Sequence, residues 1–296
     1  NQMGVVQLTA SGTAANPILI KDIRIELDGI AGISIGEFTQ STGVDLSYLN
    51  FVNVQVWGNN TNPSTEQERG FYVDNTSSLH YANWTDCAFN NCTYGWYLQK
   101  AVTADVSTVE YMTVTSSTFN HNNLKGVYAE KLSETTFNGC EFSNNGFSAV
   151  GVPSYFLPWM CGVDINLKAG TYTNLKFLNS IVANNGLGGA KEGVGITIKA
   201  RDDGSYGSYA ADCDEVAIEN CTITGNERGV RFGEPGKDNA GPTNVTVSDC
   251  NIYDNDQAYT GTDGSAYGDA INQSQAPVTA KNNWWGTSDE ASIQTN

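Results

Sequence analysis

Residues 247–255 read VSDCNIYDN, and three other stretches repeat its spacing: IENCTITGN at 218–226, FNGCEFSNN at 137–145 and WTDCAFNNC at 84–92. With each cysteine as position zero, the frame extends to a full column of Val54, Cys87, Ser117, Cys140, Ser180, Cys221 and Cys250. Three places earlier stand Phe51, Trp84, Val114, Phe137, Phe177, Ile218 and Val247; two places later stand Val56, Phe89, Phe119, Phe142, Val182, Ile223 and Ile252. The residue just before zero is Asn53, Asp86, Ser116, Gly139, Asn179, Asn220 or Asp249, all turn formers. Apolar alternation of period two on both sides of a polar corner predicts two short strands in each repeat.

A third strand of the form Gly-apolar-x-apolar follows at Gly32, Gly70, Gly95, Gly126, Gly162, Gly193, Gly229 and Gly268, with Asp269 out of pattern. Three strands recurring along the whole chain are the signature of a β-solenoid. The expected fold is therefore all-β, a parallel β-helix of about eight to nine coils stacked about 4.8 Å apart. Five places after zero, Asn59, Asn122, Asn145, Asn185, Asn226 and Asn255 share a corner, with Cys92 as the exception. Stacked amides there can bond one another and their own turns, an internal Asn ladder.

These columns resemble the right-handed parallel β-helix of the pectate-lyase-like superfamily. The segment KNNWWGTSD, residues 281–289, resembles the NWWG stretch that ends many secreted and surface β-helix proteins. The resemblance implies a coil over residues 18–286, an extended N-terminal segment at 1–17 and a C-terminal tail at 287–296. Trp284 and Trp285 are placed to cover the last coil, where an open apolar cross-section would otherwise meet water. The family hosts enzymes, adhesins and fibres, so fold alone does not fix function.

Composition narrows the partners. With 15 basic and 32 acidic residues and a net charge of −17, the chain repels phosphate backbones and anionic lipid. Neither nucleic acid binding nor membrane insertion is expected, and no apolar run approaches the roughly 20 residues of a bilayer span. The start at Asn1, without a leader-like apolar stretch, reads as a mature chain. The count of seven cysteines is odd. Four sit in the small-residue column and read as buried thiols, while Cys161 and Cys213 lie outside it and form the pair to consider for a disulfide.

Chemistry should lie where the repeat is interrupted, at residues 60–69, 146–161, 186–192, 201–213, 234–242 and 256–267. The insert at 146–161 brings Tyr155, Phe156 and Trp159, which suit either a sugar ring or a neighbouring subunit. Tyr72, Tyr97 and Tyr128 recur at an outward position of the third strand, as a glycan-binding stripe or as cross-strand stacking. Carboxylate chemistry on a glycosidic bond needs two acids flanking it, for which Asp202, Asp203, Asp164 and Glu192 are candidates, with Arg231, Arg228 and Glu234 nearby. The GHG and NTD motifs of polygalacturonase-type enzymes are missing, and no pectate-lyase acid motif matches. No cofactor is required. Asp254, Asp256, Asp263 and Asp269 could supply oxygen ligands for Ca²⁺. Of seven N-x-S/T sequons, Asn75 and Asn272 follow the third strand and are the expected glycosylation sites.

Two functional readings follow. One is a secreted or cell-surface structural or adhesive protein that self-associates, a candidate subunit of an extracellular fibre assembled end to end. The other is a carbohydrate-active enzyme or polysaccharide-binding module, lyase- or hydrolase-like, working at the insertions.

Overall fold

A computed structural model describes residues 4–36, 43–59, 68–100, 106–155, 159–188, 193–202, 210–255 and 268–289. Its strands pair in parallel into three sheets, two of which run the length of the described chain and the third of which has four strands. The first sheet contains nine strands, from Val6–Leu8 through Tyr94–Leu98, Lys125–Ala129, Cys161–Leu167 and Val194–Ala200 to Ala270–Asn272. The second runs from Ile18–Glu26 to Val278–Lys281, and the third stacks Glu141–Ser143, Ile181–Ala183, Thr222–Thr224 and Asn251–Tyr253. This is a right-handed β-helix of about nine coils. Val6–Leu8, within the extended segment expected ahead of the coils, forms the first strand by pairing with Ile33–Ile35. Among the described residues, no helix is long and apolar enough to cross a membrane.

The polar corner before position zero has the geometry its residues suggest. Asn53, Asp86, Ser116, Asn179, Asn220 and Asp249 all have φ between 49° and 56°, a region that Asn and Asp tolerate best. The apolar columns fill the interior, with Phe51 stacked on Trp84 at 3.5 Å and Phe137 on Phe177 at 5.2 Å. The zero column does more than save space. Backbone N–H groups of Cys87 and Cys140 donate to the hydroxyls of Ser117 and Ser180 one coil on, and that of Cys221 donates to Cys250 Sγ. A small side chain with an acceptor atom satisfies a buried donor that Ala would leave unpaired.

The glycine column explains a slip in the sequence frame. Gly162 is in register with Gly195, not Gly193, because Cys161 pairs with Val194 and Val163 with Ile196. A Cβ on Gly126 or Gly162 would lie 2.6 Å from the carbonyl oxygen of the next glycine, so that site excludes every side chain. In the last coil Val230 pairs with Ala270, which puts Asp269 rather than Gly268 in the glycine's place.

The Asn ladder runs through Asn122, Asn145, Asn185, Asn226 and Asn255. Each amide nitrogen bonds a backbone carbonyl, and each but the last passes a hydrogen bond to the next Asn at 2.8–2.9 Å. Asn59 is not part of it. That side chain is exposed and donates to Asp28, because the ladder is taken up by Cys92, whose N–H donates to Asn122 Oδ1. At the other end Asp269 Oδ1 accepts from both the backbone and side-chain nitrogens of Asn255. A residue expected to ligate calcium thus terminates the ladder.

The last coil corrects the paired-indole cap. Trp285 packs against the core, whereas Trp284 is 47% exposed, and its backbone donates to Cys250 O and accepts from Ile252 N–H. All seven cysteines are free and buried. Cys161 opens a strand of the first sheet and Cys213 lies in the second, so the considered disulfide does not form. Burial pushes the Cys140 and Cys161 thiols up to about 11 and that of Cys213 up to about 12. A thiol reagent at mildly alkaline pH is expected to label none of the seven in the folded chain and all of them after unfolding. One fast-reacting native thiol would contradict this packing.

Candidate functional site

Parallel register stacks the outward positions of the first sheet into columns. One column carries Tyr72, Tyr97, Tyr128, Asp164, Thr197 and Arg231 on successive coils. Before it runs Arg69, Tyr94, Lys125 and Cys161, and the position of Asn166 continues to Lys199 on the far side. Side chains here would ordinarily face water. Instead, Tyr72, Asp164, Thr197 and Arg231 are each at most 1% exposed, so this face is packed over rather than open.

A cavity of about 520 Å³ opens on it, lined by Tyr94, Tyr97, Tyr128, Tyr155 and Trp159 together with Lys125, Asp164, Asn166, Lys168, Lys199, Arg201 and Glu234. Asp164 is clamped by two ammonium groups, Lys125 at 2.5 Å and Lys199 at 2.8 Å. Burial alone would raise its pKa, but the charges and hydrogen bonds of Lys125 and Lys199 outweigh that and hold the carboxyl well below the usual range. Arg201 pairs with Glu234 at 2.9 Å, and Lys168 pairs with Glu130. Tyr128 donates to Glu130 Oε1 at 2.8 Å and accepts from Asn166 Nδ2 at 3.2 Å. Burial, followed by the charge of Glu130, raises the Tyr128 phenol well above its ordinary value, so it stays protonated.

The aromatic residues divide between structural and open roles. Tyr72 is buried, donates to Gln99 Oε1 at 2.8 Å and carries the Arg69 guanidinium on its ring, so the expected exposed stripe begins one coil later. Tyr97 and Tyr128, half-buried and 5.1 Å apart, face the cavity. From the insert, Val152 and Met160 fold back onto Tyr94 and Leu124 as a second apolar cluster. Tyr155, 64% exposed, and Trp159, with Lys199 Nζ 5.5 Å from its ring, join the cavity wall.

Of the sequence candidates, Asp164 and Glu234 reach this cavity, and Arg231 stands in the same column as Asp164. Asp202 is exposed and does not line it, although its neighbour Arg201 does. Phe156, Asp203 and Glu192 lie outside the described residues, as do Asp256 and Asp263. Asp254 is exposed at a corner, and among the described residues no group of three His, Cys, Asp or Glu could hold a metal ion. Asn272 is exposed, with its side chain bonded to Ser274 and Ala276, while Asn75 is half-buried. Sequence reasoning missed Lys125, Lys168, Lys199 and Tyr94. Lys125 stands one place before Gly126 in KGVYA and Lys199 four places after Gly195 in GITIKA, so no common offset in the repeat marks them as a group.

The sequence profile of the right handed beta helix region matches residues 31–295. No curated protein matches the sequence. Among solved structures, pectate lyase Pel9A superposes with a TM-score of 0.47 at 14% identity, covering 95% of this chain and 65% of that one. The mannuronan C-5 epimerase AlgE4 A-module of Azotobacter vinelandii gives 0.44 at 14% identity, with 92% and 58% covered. An alginate lyase from Paenibacillus sp. str. FPU-7 gives 0.40 at 12% identity, with 95% and 84% covered. The chain therefore spans less than two thirds of the first two of these proteins.

Proposed function

The chain belongs to the right-handed β-helix family, and from that premise we propose that it is an extracellular polysaccharide-binding protein that takes acidic glycans in the cavity on its first sheet. One observation carries the reading. A chain of net charge −17 with 15 basic residues gathers Lys125, Lys168, Lys199 and Arg201 into a single aromatic-walled cavity. Burying paired charges costs several kcal/mol of desolvation per ion, and apolar residues would hold the face together at lower cost. Such an arrangement is expected where a site needs fixed charge next to stacking surfaces.

Among the described residues, the same geometry offers no general acid for hydrolysis. A general acid needs a carboxyl kept protonated near neutral pH, and Asp164 is shifted the opposite way. Glu130 and Glu234 are each paired with a cation. In a titration against alginate, polygalacturonate and cellulose oligosaccharides, the two acidic glycans are expected to bind, with affinity falling as salt rises. If none of the three binds, or if Lys199→Met leaves binding unchanged, the reading is wrong.

A second reading, a structural or adhesive subunit assembled end to end, draws on the first coil. Val5, Leu19 and Ile30 are 51%, 54% and 41% exposed there, beside strands paired on one side only. Light scattering and negative-stain microscopy would test it, and a strictly monomeric chain would remove it.

A further inference from the structure

The column at the floor of the cavity changes chemistry at one coil, from Tyr97 and Tyr128 to Asp164 and Thr197. On the tyrosine side the nearby cations are turned onto ring faces. The Arg69 guanidinium lies 4.5 Å from the Tyr97 ring, and Lys125 Nζ lies 4.1 Å from that of Tyr128. Lys125 also gives a 2.5 Å bond to Asp164, so its charge is committed twice. That half offers aromatic surface with its positive charge already engaged.

The other half differs. Lys199 Nζ has one carboxylate oxygen close by, Asp164 Oδ1 at 2.8 Å, and the next, on Glu234, is 4.0 Å away. An ammonium carries three donors, so Lys199 keeps hydrogen-bonding capacity toward the cavity, where Trp159 stands over it. Lys168, paired with Glu130, lines the cavity one strand end away.

We infer that the cavity reads a mixed glycan lying along the rod axis, with an uncharged sugar ring over Tyr97 and Tyr128 and the adjacent acidic sugar directing its carboxylate to Lys199 and Lys168. Coils are about 4.8 Å apart and the Tyr97 and Tyr128 rings 5.1 Å apart, so one sugar ring lies across the tyrosine pair and the next falls beside the coils that carry Lys168 and Lys199. Aromatic faces select apolar ring surface, whereas an ammonium selects charge, and the two demands fall on different coils. The inference rests on the polysaccharide reading above and narrows it from acidic glycans in general to alternating ones.

The test is calorimetric titration of the full chain with three hexasaccharides: hexagalacturonate, cellohexaose, and alternating glucuronate and N-acetylglucosamine. The alternating probe is expected to bind at least about tenfold tighter than either of the others, the discrimination of one good contact. Lys199→Met should erase its advantage over cellohexaose, and Tyr97→Ala should erase its advantage over hexagalacturonate. Circular dichroism and melting of both variants would establish that they are folded. If hexagalacturonate binds as tightly as the alternating probe, or the two variants lose the same preference, the mixed-glycan inference falls while the polysaccharide reading stands. If none of the three binds, both fall.

Discussion

Replacing Asn185 with Ala is expected to cost about 4 kcal/mol of stability, measured by denaturant unfolding. The Asn185 side chain donates to Phe142 O and Asn226 Oδ1, both at 2.8 Å, and its Oδ1 accepts from Asn145 N and Nδ2, both at 2.9 Å. Truncation takes the side-chain partner from two buried backbone groups, Phe142 O and Asn145 N–H, each costing about 1–3 kcal/mol, and strips one bond from each of the Asn145 and Asn226 amides. Part of that is offset if water enters, but the site is fully buried among apolar columns. Asn185→Asp is no rescue, since a carboxylate accepts from Asn145 but cannot donate to Phe142. The control is Asn59→Ala, expected to change stability by less than about 0.5 kcal/mol, because Asn59 is exposed and outside the ladder. Equal losses at the two positions would refute the ladder.

That contrast also marks what the sequence discloses. Asn59 and Asn185 occupy the same place in the repeat, yet one is exposed and the other fully buried. Periodicity identified the strands, the corners and the small-residue column because each position is selected by a local requirement repeated on every coil. Register was harder. GVGI contains two glycines, and only pairing with Gly162 shows that Gly195 is the one pressed against its neighbour. Asp269 likewise looked like an interruption, whereas it stands where the ladder needs a terminal acceptor.

The cavity was less legible for a physical reason. Its members come from five coils, and none is unusual by itself: a lysine before a glycine, a tyrosine on an outward position, an aspartate in a strand. Their meaning lies in vertical adjacency, which depends on register and on how each insertion folds. Asp164 was suspected as one half of a carboxylate pair with hydrolytic chemistry. Stacking places it between Lys125 and Lys199, and that neighbourhood changes it from a possible acid to a fixed anion.

Asp164→Asn tests that assignment through its pH dependence. The folded-state pKa lies below the unfolded value of about 3.9, so ionised Asp164 contributes stability above that pH. The contribution is lost as pH falls through the lower folded-state value. Between neutral pH and about pH 5 the difference in unfolding free energy between wild type and variant should therefore be flat. Its size should be about 3 kcal/mol, since the variant leaves two buried ammonium groups facing a neutral amide. Below about pH 4 the difference should shrink, because the wild type loses its ion pairs while the variant has none to lose. Many other carboxylates titrate in this range, but they are common to both chains and cancel in the difference. A difference that stays constant in acid, or grows, would mean that Asp164 is not the anion that Lys125 and Lys199 hold. Their charge would then be available to a ligand in full, and the balance of attraction proposed for the cavity would have to be redrawn.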